Sequence, residues 1–84
     1  MTFVPMIIFS YTTKHLKYSD KVRFYYAIKG RDGKSGLIKE YDITQLGKTV
    51  FLVKLEYEAA LIHFFTEWKC KHKILHAMIN KEEL

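Results

Sequence analysis

The rhythm of apolar positions changes several times along the chain, and each change predicts an element. From Val22 to Lys29 the sequence VRFYYAIK alternates. Val22, Phe24, Tyr26 and Ile28 would share one strand face, with Arg23, Tyr25, Ala27 and Lys29 on the other. Its aromatic and β-branched content points the same way. Gly30 to Gly33 (GRDG) has turn chemistry, and Gly36 to Glu40 (GLIKE) is the expected returning strand, giving a β-hairpin with a basic tip. Residues 41–48 are expected to form a loop, and Thr49 to Val53 (TVFLV) a strand apolar on both faces, hence central. From about Glu56 to Cys70 the period becomes helical. Tyr57, Leu61, Phe64, Phe65 and Trp68 fall in one stripe, opposite Glu56, His63, Thr66 and Glu67. Lys73 to Ile79 returns to strand character, so strand, helix and strand should form a βαβ unit.

The fold class expected is therefore α+β: a small mixed sheet built from a β-hairpin plus a βαβ unit, with one helix packed on one face. One helix covers one face only, so something else must shield the other. The uncharged segment Thr2 to Thr13 is the candidate, as an extra strand or as an arm extended to a partner. This divides the chain into an N-terminal arm or extra strand, residues 1–20, and a single α+β domain, residues 21–84.

Length and composition narrow the class further. At 84 residues the chain holds one domain and buries about 60 to 65% of its unfolded surface, too little for a large enzyme core. Apolar content of 49% excludes disorder as the default. One Cys cannot form an internal disulfide, which favours a reducing compartment. The apolar run Phe3 to Phe9 is short, lacks a preceding basic residue and is interrupted by Pro5; it is too short to span a bilayer and makes a poor signal peptide, so a cytoplasmic location is expected.

Charge changes the picture most. The net charge is +5, and its distribution is uneven. Residues 14–39 carry eight basic and two acidic groups, a net of +6; residues 40–84 carry six basic and seven acidic. The candidate interface is accordingly Lys14, Lys17, Lys21, Arg23, Tyr25, Lys29, Arg31, Lys34 and Lys39. Lysine and arginine neutralise phosphates and release counterions, and an exposed tyrosine offers a stacking surface to an unpaired base.

Other chemistry finds little support. The run from Gly30 to Gly36 (GRDGKSG) has the Gly-Lys-Ser of a Walker A loop, but Ile28 stands where the first glycine should be and a strand is expected to follow, so nucleotide hydrolysis is not expected. Cys70, His72 and His76 match no common zinc spacing, and no metal or other cofactor is expected. His15 and His63 are isolated surface residues, and Cys70 is a small apolar filler. Glu40, Asp42, Glu56, Glu58 and Glu67 fall on different elements, giving no acid–base pair, so no enzyme is expected.

The stretch from Lys21 to Glu40, followed by Gly47 to Val53, resembles short uncharacterised proteins of thermophilic archaea, a group that includes lineage-specific ribosomal proteins. The resemblance spans residues 21–79 and implies binding to ribosomal RNA (rRNA). With the basic segment, it gives the expectation of a non-enzymatic structural RNA-binding protein, a component of the archaeal ribosome. Its partners would be rRNA and neighbouring ribosomal proteins, with no membrane and no small-molecule substrate. The competing classes are a viral or regulatory protein-interaction module, dimeric through an uncovered sheet face, and a small RNA-cleaving toxin.

Overall fold

The computed structural model describes residues 2–30 and 35–84. Four strands form one sheet: β1 (Phe3–Tyr11), β2 (Thr44–Gly47), β3 (Val50–Lys54) and β4 (His72–Asn80). Between β1 and β2 lie helix α1 (Tyr18–Lys29) and a single helical turn, α2 (Leu37–Glu40); between β3 and β4 lies helix α3 (Glu58–Glu67), entered through a 3-10 turn at Leu55–Tyr57. The expected α+β class stands. Strand order is β2-β3-β1-β4, and every neighbouring pair is antiparallel. Strands β1 and β2 therefore run parallel with β3 between them, and β3 and β4 run parallel with β1 between them. Two interleaved, split βαβ units of this kind define the ferredoxin-like topology.

The N-terminal segment is the centre of this sheet. β1 pairs along its whole length with β4, from Phe3 opposite Asn80 to Tyr11 opposite His72, and along half of it with β3. Of the two roles open to Thr2–Thr13, that of an extra strand is the one taken, and residue 20, the expected boundary, lies inside α1. The sheet is antiparallel rather than mixed for the same reason: β1 is inserted between the strands of the expected βαβ unit.

The largest correction concerns residues 22–40. Val22 to Lys29 is not a strand but most of α1, and Leu37–Glu40 is a helical turn, so the hairpin does not exist. Alternation and helical spacing coincide here. Phe24 and Ile28 sit both two steps of an alternation apart and at i and i+4 of a helix, and they are the two residues α1 buries, whereas Tyr26 is 41% exposed. Asp20 in the first turn and Lys29 in the last suit the helix dipole. Gly30 closes the helix at φ 79°, its N–H donating to the Tyr26 carbonyl at 2.7 Å. A second helix thus covers the sheet beside α3, where the sequence pattern predicts only one. Loop 41–48 also needs correcting, since it contains the edge strand β2, every residue of which is exposed.

The core lies between the sheet and the two helices. Ile7 and Phe9 of β1, Phe51 and Val53 of β3, Phe24 and Ile28 of α1, and Leu61 and Phe65 of α3 form one buried cluster. The ring of Phe65 lies 4.7 Å from Phe9 and 5.7 Å from Phe24, locking both helices to the central strand. Trp68, Phe64 and Tyr57 pack at its margin, so the stripe read from the sequence is the buried face of α3.

The opposite sheet face is also apolar. Alternation and register place Val4, Met6 and Ile8 there beside Leu52, Leu75 and Ala77. Met6 and Leu52 are buried, while Leu75 is 52% exposed. The buried residues of α1, α2 and α3 join the cluster on the other side, so among the described residues no α-helix packs on this face.

Candidate nucleic-acid interface

Turning residues 18–29 into a helix rearranges the basic side chains. Lys21, Tyr25 and Lys29 follow one another at i, i+4 and i+8 and line a single flank of α1. That flank faces the turn joining β2 to β3, and a cavity of about 270 Å³ opens between them. Its inner wall is apolar, formed by Phe24 and Ile28 of α1 and by Tyr11 at the end of β1. Its far side presents Gln45, Lys48 and Thr49, with Thr13 beside them. Three lysines border it, and among the described residues no carboxylate lines it.

Specific hydrogen bonds hold this shape. The Tyr11 N–H donates to the Thr49 carbonyl at 3.1 Å, and the Tyr11 hydroxyl donates to the Lys48 carbonyl at 3.4 Å, fixing the end of β1 to the β2–β3 turn. Burial, with a smaller contribution from Cys70, pushes the Tyr11 phenol up to about 12, so it stays a neutral donor on the cavity wall. On the rim, the Lys29 ammonium lies 5.5 Å from the centre of the Tyr25 ring, a cation–π contact. A hollow of about 230 Å³ adjoins it, lined by Lys29, Ile38, Lys39 and Gln45, and extends the basic track onto α2.

The structure thus brings together Lys21, Tyr25, Lys29 and Lys39 of the nine expected residues. Arg23 points elsewhere on α1, where its guanidinium meets Asp20 at 3.5 Å; both partners are solvated, so the pair contributes little. Lys14 and Lys17 are exposed in the turn leading into α1. That turn is fixed by Lys14 N–H donating to Thr12 Oγ1 at 3.3 Å and by His15 Nε2 donating to the Trp68 carbonyl at 3.0 Å. His15 is exposed as expected, but it ties this turn to the end of α3. Arg31 and Lys34, and with them most of the glycine-rich run, lie outside the described residues.

Sequence reasoning missed Lys48, Gln45, Thr49, Thr13 and Tyr11. The first three lie in or next to a stretch with loop character, and Lys48 falls within the half of the chain whose charges nearly cancel. Only the antiparallel return of β2 and β3 carries them to α1.

The glycines flanking residues 31–34 have a packing role. At Gly30 a Cβ would stand 2.2 Å from the Ser35 carbonyl oxygen, and at Gly36, with φ 103°, 2.6 Å from Gly30 N. The two ends of the loop approach too closely for side chains. The helix after Gly36 spans four residues, in place of the expected strand.

The remaining chemistry-bearing residues are engaged separately. His76 meets Glu58 at 2.7 Å, tying β4 to α3. His72 stacks on Phe9, its ring centre 5.0 Å away. His63 pairs with Glu67 on the solvated face of α3 at 3.0 Å. Cys70 is buried, and burial pushes its thiol up, away from the reactive thiolate. No group of three or more His, Cys, Asp or Glu side chains among the described residues could hold a metal ion. No helix among them is long and apolar enough to cross a membrane.

Comparison with known protein families, with curated proteins and with solved structures finds no match for this chain.

Proposed function

We propose that the chain is a non-enzymatic RNA-binding protein that grips the phosphate backbone along the groove between α1 and the β2–β3 turn. The observation that supports this reading is the convergence of Lys21, Lys29 and Lys48 on one cavity that no carboxylate among the described residues lines, with Lys39 on the adjoining hollow. An overall charge of +5 would draw any polyanion to the surface; the groove gives that attraction a location and a shape. As the sequence suggests, the proposed setting is the archaeal ribosome, with rRNA as the ligand. Co-sedimentation with ribosomal subunits at low salt and release at high salt is the expected behaviour there, and failure to co-sediment removes the ribosome from the proposal.

The groove itself is tested by salt titration. Replacing Lys21, Lys29 and Lys48 together with Gln should weaken RNA binding and reduce the slope of log affinity against log salt by about 0.7 to 0.9 for each phosphate that the protein no longer neutralises. An unchanged slope would place the RNA elsewhere.

A second reading, that of an interaction module, is favoured by the helix-free sheet face on which Leu75 is 52% exposed. Its occupant would be a second copy of the chain. A dimeric mass that persists in high salt would support it, since an RNA complex dissociates there.

A further inference from the structure

The cavity beside α1 is more than a basic rim. Phosphate contacts alone need only lysines on a surface, yet this site has an apolar interior formed by Tyr11, Phe24 and Ile28, with Thr13, Gln45 and Thr49 supplying hydroxyl and amide groups at its edge. Apolar walls with a few convergent polar groups are the signature of a pocket for a small organic moiety. At about 270 Å³ it lies just under the roughly 300 Å³ where ligand pockets usually begin, so it suits one ring system and not a dinucleotide. Gln45 carries both donors and an acceptor, the pattern a base edge requires.

We infer that this cavity receives one unpaired nucleobase of the bound RNA, flat against the Tyr25 ring, while the flanking phosphates meet Lys21, Lys29 and Lys48. The inference rests on the RNA-binding reading above and specifies its ligand as single-stranded. A base still paired in a duplex presents only an edge to a groove and cannot enter a recess between a helix and a strand turn, whereas an unstacked base can. The Lys29 ammonium lies over a face of the Tyr25 ring, 5.5 Å from its centre, showing that the ring accepts a cation or a flat π-system there; a base stacking on that face displaces the flexible lysine toward its flanking phosphate. Tyr25 is 54% exposed, so its ring is accessible and its replacement leaves the core intact.

The test is fluorescence anisotropy with the full chain, using a short labelled single-stranded RNA and the same strand annealed to its complement. The wild-type protein should prefer the single strand. Tyr25→Leu should weaken single-strand binding by roughly 5- to 150-fold, the range for removal of one base–aromatic stack, and leave duplex binding and the salt slope unchanged. Tyr25→Phe, which keeps the ring, should retain the preference. Equal affinity for the two RNA forms, or equal weakening of both with Tyr25→Leu, would overturn base insertion while leaving the phosphate groove intact. Absence of binding to either RNA would overturn both.

Discussion

Helices α1 and α3 lie side by side on the same face of the sheet and share the Phe24 and Phe65 contact, yet they use their aromatic residues differently. α3 turns Phe64, Phe65 and Trp68 toward the core and leaves Glu67 and His63 in water. α1 commits only Phe24 and Ile28 to the core; Tyr18, Tyr25 and Tyr26 stay 84%, 54% and 41% exposed, among lysines. Aromatic content alone therefore does not mark a buried face. In α3 the rings serve burial, whereas the exposed rings of α1 exceed what packing uses, and one of them borders the basic cavity.

Stability measurements should separate the two roles. Phe65→Ala is expected to cost about 3 to 5 kcal/mol in urea unfolding, because its fully buried ring joins both helices to β1. For a domain of this size that is a large part of the whole. Tyr25→Leu in the same assay should stay within about 0.5 kcal/mol, and a cost comparable to that of Phe65→Ala would erase the contrast.

Between these extremes lies the end of α1. Gly30→Ala should destabilise the protein by more than about 1 kcal/mol, since the new Cβ meets backbone atoms of Ser35 and the site has positive φ. A neutral result in thermal unfolding would mean that Ser35 moves aside freely.

A further expected effect is confined to alkaline pH. The Tyr11 phenol keeps its proton in the fold up to about 12, above its ordinary value of 10.0, so between those values the folded chain binds more protons than the unfolded one. The corresponding stability is fully present below pH 10.0 and is lost as pH rises toward 12. Tyr11→Phe should flatten that decline and remove an ionisation near pH 12 from an ultraviolet titration. An unchanged titration would place the late-ionising phenol elsewhere.

The α3 stripe was legible because a single helical period ran through it without competition, and β3 and β4 because each is a short run of apolar and β-favouring residues. The segment from Val22 to Lys29 was not. Its two buried residues satisfy an alternation and a helical turn equally, and its β-favouring composition tips the reading toward strand; only the exposure of Tyr26, which alternation would bury with Phe24 and Ile28, separates the two. β2 gave no signal at all. Thr44, Gln45 and Leu46 are exposed with no alternation of burial, and backbone pairing to β3, shifted by an irregularity between Gln45 and Gly47, is what makes them a strand.

For the candidate interface, local composition sufficed to select Lys21, Tyr25, Lys29 and Lys39, because charge density is a property of adjacent residues. It selected Arg23 equally, and only the helical period sends Arg23 away from the cavity, toward Asp20.

By itself, then, the amino-acid order determined the α+β class, the covering face of α3 and the position of the excess charge, all consequences of periodicities and counts within short windows. Tertiary structure decided that the N-terminal segment is the central strand, that residues 18–29 form a helix, and that Lys48 and Gln45 stand opposite Lys21 and Tyr25. Those outcomes depend on which strand edge β1 finds and which apolar face remains to be covered. Residues far apart in sequence settle such questions together, by burying one common core.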